Sequence, residues 1–357
     1  MIQPQSHAHR ANSDGAQPAP AEGPRRRRVA WLAIGCGAVL ACIPVPLAGM
    51  STVHASWEPA VTMYVADYAA NSITEYANDA AGHQVQVRAI TGSRTGINGP
   101  HDLVVAAGIL YVANFGANSI TEYAEGASGN APPIRVISGS HTGLSGPHGL
   151  AYRTGTLYVA NAGGDSVTEY AKGAVGDALP IRTVSGPNTG LNRPHGLTVH
   201  ADVLYVANFG GNSVTAYVVG AAGDAMPIHT ISGAGTGING PHGVAFDAGA
   251  LYVANFSANT ITEYARGATG NAMPIRSIRG ARTGLDGPHG VAISAGTLYV
   301  ADFGANSVTA YATHATGDAV PIHTLSGSSA GLNAPSGVVV VSRAGEQDGD
   351  SGAGTGG

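Results

Sequence analysis

The chain has 357 residues, 53 of them Gly and 20 Pro, with charged residues at only 11% and a formal net charge of −5. So few charges beside so many turn formers predict short strands joined by tight loops rather than helices. From Glu58 onward 12 basic residues face 20 acidic ones, a net of −8, with Lys172 the sole lysine. That balance excludes a basic surface for nucleic acid.

Residues 1–24 are polar and Pro/Ala-rich and read as disordered. "RRRR" (Arg25 to Arg28) then precedes "VAWLAIGCGAVLACI" (Val29 to Ile43), an uncharged run of 15 residues that Pro44 and Pro46 interrupt. A spanning helix needs about 20 apolar residues and a secretory core roughly 7 to 15. Residues 25–55 are therefore expected to be an export signal, with "VHA" (Val53 to Ala55) at its cleavage site. Other variants stay open: lipid on Cys42 in the lipobox-like "VLAC", a twin-arginine signal at "RRRVA", or an uncleaved anchor over residues 29–50. In every version the arginines stay inside and the rest of the chain is exported. Cys36 and Cys42 are the only cysteines and both fall here, so the remainder has no disulfide framework and no Cys-based zinc site.

Beyond the leader the chain is self-similar. Tyr64, Tyr111, Tyr158, Tyr205, Tyr252 and Tyr299 stand 47 residues apart, as do Tyr76, Tyr123, Tyr170, Tyr217, Tyr264 and Tyr311. Pro100, Pro147, Pro194, Pro241, Pro288 and Pro335 keep the same spacing. One unit divides into four predicted strands: a at "GLAY" (Gly149 to Tyr152), b at "LYVAN" (Leu157 to Asn161), c at "SVTEYA" (Ser166 to Ala171) and d at "PIRTVSG" (Pro180 to Gly186). Beta-branched and aromatic runs between Gly, Asn, Asp and Pro clusters suit antiparallel strands, and a proline is tolerable on an outer edge strand.

Four strands in a period of this length predict a propeller blade. The first unit opens at strand b, "MYVAD" (Met63 to Asp67), and the last ends in an orphan strand a, "PSGVVVV" (Pro335 to Val341). Pairing those two completes the ring and removes the edges a solenoid would have to cap. The expected fold is all-β, a six-bladed propeller of four-stranded antiparallel blades over residues 56–343, followed by a flexible acidic tail at 344–357.

The pattern "PHG[LV]…LYVA[ND]…NS[IV]T-x-Y" resembles the NHL repeat and the YVTN-type propellers of bacterial secreted proteins, over about Met63 to Arg343. That resemblance implies the fold, and such rings serve as interaction platforms, carbohydrate binders and a few enzymes. Strand a of a propeller lines the axis, so His101, His148, His195, His242 and His289, with Ser336 in the sixth place, are expected to ring one mouth. The b–c hairpins bring Tyr68, Phe115, Phe209, Phe256 and Phe303 to the same face, with Ala162 departing.

Imidazoles in such a ring suit a transition metal, whether Zn, Cu, Ni or Fe. The resemblance extends this: peptidyl-hydroxyglycine amidating lyases are six-bladed NHL propellers with zinc-ligating histidines at the mouth, matched here by the same five. Their catalytic arginine and tyrosine have no clear counterpart here, nor do the seven blades and glutamate/histidine pair of virginiamycin B lyase. The alternative role for the histidines is structural, each donating to a neighbouring blade's carbonyl. Asp102, Ser336, Ala162 and Arg193 break the symmetry on this face, and Asp102 is a candidate to orient the His101 ring.

Elsewhere the sequence suggests simpler roles. The Asn or Asp ending each strand b is expected to form an Asx-turn. Glu75, Glu122, Glu169 and Glu263, replaced by Ala at 216 and 310, are expected on a solvated face, and Arg135, Arg182 and Arg276 as charges protecting the outer edge. The sequence thus predicts an exported monomer that binds a protein, glycan or small molecule through its His/aromatic face. Membrane contact is expected only through an uncleaved anchor or lipid on Cys42. A metal-dependent lyase or hydrolase using the His ring is the alternative.

Overall fold

Strand b of every unit is apolar or tyrosine along nearly its whole length, so it can only sit in the middle of a sheet with both faces covered. In the computed structural model, which describes residues 61–78, 84–327 and 330–341, it does. The expected disordered region (1–24), leader (25–55) and tail (344–357) lie outside the described residues. Six antiparallel four-stranded sheets run in the order a–b–c–d. Blade 3 is typical, with strands Pro147–Arg153, Thr156–Asn161, Ser166–Ala171 and Arg182–Ser185. The a–b turns are two residues long, and Ala107 (φ 50°) with Gly108 (φ 73°) marks the left-handed geometry that matches strand twist. Helix among the described residues is confined to two short 3-10 turns, Phe115–Ala117 and Phe256–Ala258, and none is long and apolar enough to cross a membrane.

The ring closes as expected. Pro335–Val341 pairs antiparallel with Thr62–Asp67, Val341 opposite Thr62, and completes blade 1. Each inner strand neighbours the next, and the sixth returns to the first. A separate apolar core fills every cleft between adjacent blades, including one where Ala301 and Val308 of blade 6 meet Met63, Val65 and Val338 of blade 1. The second tyrosine of each unit fastens its blade to the incoming loop: the Tyr170 hydroxyl donates to the Thr142 carbonyl at 2.5 Å, and Tyr76 closes the circuit onto Ala330.

Three local expectations need correction. The prolines expected at the head of strand d precede it by two residues, as Pro180 precedes Arg182, because an amide is needed where pairing starts. The residue ending strand b does not form an Asx-turn. Asn161 Oδ1 accepts from the Ser145 amide at 3.2 Å and Nδ2 donates to Thr168 at 3.0 Å, bridging the incoming loop to strand c. The glutamates are buried rather than solvated, and the arginines of strand d are their partners: Glu169 with Arg182 at 2.8 Å, Glu263 with Arg276 at 2.7 Å.

Candidate functional site

A bulge aims the histidines. In blade 4, Pro194 pairs with Asn208 and Leu197 with Val206, so His195 and Gly196 together oppose Ala207. The extra residue turns the chain, as bulges do at barrel rims. The glycine that follows is required by space: a Cβ at Gly149 would run into the His195 carbonyl of the next inner strand. Asp102 takes that place in blade 2, where its carboxylate accepts from the amides of Leu103 and of Leu150 in the neighbouring blade, both at 2.9 Å. Burial pushes its pKa up to about 7. No contact joins it to the His101 ring nitrogens, one of which, Nδ1, is buried without a partner. Asp102 thus acts between two inner strands.

All five imidazoles converge. Ring centroids of consecutive histidines from His101 to His289 lie 3.9 to 4.2 Å apart, and His289 returns to His101 at 5.3 Å. Ser336 fills the sixth place with its hydroxyl 2.7 Å from the Pro100 carbonyl and 3.1 Å from that of Ala66. Beneath the rings is a cavity of about 30 Å³ whose lining includes His101, Asp102, His148, His242, His289 and Ser336. That volume suits a water or two, far below the several hundred Å³ of a typical organic-ligand pocket. The imidazoles therefore plug the axis.

Burial, and then the neighbouring histidines, pull the pKa of His101 down to about 2. Burial likewise brings His195 to about 3 and His289 to about 4, and holds His148 and His242 well below the ordinary value. The rings are neutral at pH 7, the form that ligates metals. Two triplets, His101/His148/His289 and His148/His195/His242, have donor atoms within 4.8 Å of one another. His148 Nε2 is buried with no partner. Donors about 2.0–2.1 Å from a common ion stand closer together than that, so a small convergence is needed. In donor chemistry and spacing the residues fit a borderline transition metal.

The aromatic collar is where the sequence placed it. Tyr68, Phe115, Phe209, Phe256 and Phe303 each lie 4.6 to 5.7 Å from an imidazole. Phe115 is exposed and the other four are part-exposed. The residue before the strand-a proline holds a positive φ and faces the preceding blade's collar residue, so a Cβ at Gly146 or Gly287 would press on Phe115 or Phe256. Arg193 takes that place opposite Ala162, with its guanidinium 5.0 Å over Phe209, and Ala334 takes it opposite Phe303.

The family model of the NHL repeat matches residues 285–311, which hold strands a to c of blade 6. The chain carries an NHL repeat. Among solved structures, this propeller is similar to a chain of the nidogen/laminin complex, at 15% identity and TM-score 0.56 over 78% of this chain and 98% of that one. A periplasmic gluconolactonase from Pseudomonas aeruginosa aligns at 18% identity and TM-score 0.52, over 76% of this chain and 80% of that one. A virginiamycin B lyase from Staphylococcus aureus reaches 18% identity and TM-score 0.48 over 70% and 76% of the two chains. No curated protein matches the sequence. At these identities the first two likenesses show the fold alone.

Proposed function

We propose that this chain is an exported binding module that receives a protein partner on its His/aromatic face. One observation carries the reading: the imidazoles plug the axis over a cavity of about 30 Å³, so a ligand received at this mouth lies on the face rather than in the channel. The face has the layout of a protein interface, with aromatic, charge-poor residues at the centre and a polar rim. Imidazoles and the collar make the centre; Asn98, Ser145, Asn192, Asn239 and Asp286 of the incoming loops make the rim. Export rests on the basic, then apolar, leader. A photo-crosslinking residue, p-benzoylphenylalanine, at position 209 is expected to trap one partner that the same residue at position 152, on the opposite mouth, does not. Purified, that partner should bind Phe209→Ala/Phe256→Ala at least about tenfold more weakly. Equal trapping at both positions, or a glycan ligand lost on the same substitutions, would overturn the reading.

A second reading, a metal-dependent lyase or hydrolase, is favoured by the two His triplets and by the unpartnered His148 Nε2. A bound metal would act as a Lewis acid at the mouth, held by His148 with His195 and His242. Elemental analysis of protein purified without a His tag distinguishes the two. About one transition-metal ion per chain, lost on joint substitution of His148, His195 and His242, supports the metal; a metal-free protein retires it.

A further inference from the structure

The mouth opposite the imidazoles is not uniform. Six positions after each strand-a proline the ring reads Ala106, Arg153, His200, Asp247, Ser294 and Val341. Ionisable side chains thus occupy three consecutive blades, 3 to 5, and none of the others. The preceding position adds aromatic residues to the same arc. Tyr152 stacks on Tyr111 at 5.4 Å, and Phe246 stacks on His200 at 4.0 Å and on Tyr205 at 5.4 Å. Arg266 reaches this end of blade 5 as well, its amide donating to the Gly249 carbonyl of the a–b turn at 3.0 Å.

Arg153 is the unexplained member. Its side chain is 20% exposed, yet Nη1 is buried with no partner among the described residues. Nη2 faces Asp202 Oδ1 at 3.7 Å, too far for a hydrogen bond, and that carboxylate is 95% exposed. A guanidinium is always charged and carries five donors, so desolvating one without acceptors is costly. An unpaired buried donor of this kind calls for an acceptor, a bound ion among the candidates. His200 feels both arginines: burial, then Arg266 and Arg153, lower its pKa, and Asp247 opposes them.

We propose that this arc is a binding site for a small oxyanion, a phosphate or carboxylate group, anchored by Arg153 beside His200 and Arg266. The planar guanidinium fork matches two oxygens of either group, which a lysine would meet only as a point charge. The His200 ring offers a further N–H, and Phe246, stacked on that ring at 4.0 Å, borders the site. The site lies at the opposite mouth from the His/aromatic face and stands or falls independently of it.

NMR of the propeller tests this. The ring C–H signals of His200, assigned by their absence from His200→Asn, are followed at fixed pH and ionic strength while phosphate, then acetate, replaces chloride. A saturable shift is expected with phosphate or acetate, and which of the two produces it identifies the group. Arg153→Gln should weaken it about tenfold or more, the loss typical of charge-assisted hydrogen bonds. A linear drift, or an undiminished curve in Arg153→Gln, overturns the proposal. Because the Arg153 side chain makes no hydrogen bond among the described residues, Arg153→Gln should melt close to the parent. If it unfolds instead, the exposed Arg266→Gln decides: it must weaken the shift, and an unchanged curve overturns the site.

Discussion

At the end of strand b every blade faces the same local demand, and two residue types meet it differently. In blades 2 to 5 an asparagine serves: Asn114 Nδ2 donates to the Thr121 hydroxyl at 3.0 Å while Oδ1 accepts from the Asn98 amide at 3.2 Å. In blade 6 Asp302 takes the place, so Thr309 must turn and donate to it at 2.6 Å; in blade 1 Thr74 does the same for Asp67 at 2.9 Å. A carboxylate sealed there has lost its water, and burial pushes Asp302 up to about 7 and Asp67 to about 6. The folded pKa thus exceeds the unfolded value of about 3.9, so between roughly pH 4 and 7 the native state holds a proton that the unfolded chain has released. Stability must fall as pH rises through that window, and the loss is complete above the folded pKa. Asp302→Asn is expected to melt above the parent at pH 8, by on the order of 1–3 kcal/mol, with the gain shrinking toward pH 4. Thermal melts at pH 4, 6 and 8 check this; a gain independent of pH would show that burial of the charge is not its source.

Between elements, the pairing of strands c and d was present in the sequence in a form that only register makes readable. Glu75, Glu122, Glu169 and Glu263 lie opposite Arg88, Arg135, Arg182 and Arg276, whereas Ala216 and Ala310 lie opposite His229 and His323. Residue counts alone suggested a position free to vary, because two blades lacked the glutamate. The pairs in fact vary together, each glutamate with an arginine 13 residues on. An isolated strand pattern cannot tell a solvated carboxylate from one covered by its neighbour's guanidinium, and that covering is long-range geometry. The pair predicts an asymmetric response. Arg182→Ala leaves Glu169 buried without its partner and should cost about 2 kcal/mol, the cost of breaking a buried pair discounted for the part-exposed arginine. Glu169→Ala/Arg182→His copies blade 4 and should recover more than half of that. Urea midpoints compare the two; a double variant no more stable than the single would mean that the partners do not act as a unit.

Across the whole molecule, the 47-residue period made the blades, their order and the closing strand legible, because identical spacing leaves little freedom in where equivalent residues fall. The His mouth and its collar followed from the same symmetry. What stayed hidden was asymmetric: Arg153, His200 and Asp247 occupy equivalent places, but their meaning depends on which side chains pack beside them at the far mouth. The seam has the register of an ordinary a–b pair. Val341 faces Thr62 as Asp247 faces Ala250, and in the ordinary blade a two-residue turn, Ala248-Gly249, joins that pair. An Ala-Gly link from Val341 to Thr62 should therefore convert the seam into a normal hairpin, and the ring could be opened instead between Asp247 and Ala250. The permuted propeller is expected to elute as the parent does and to melt within a few degrees of it, since every sheet and interblade core is kept. Ending the chain at Ala334 removes the inner strand of blade 1 and with it one wall of two cores. That variant should lose its cooperative transition and self-associate through the bared edge of Thr62–Asp67. Size-exclusion chromatography and thermal melts of both chains make the comparison, and a truncated chain as stable as the permutant would mean the ring does not need its closure.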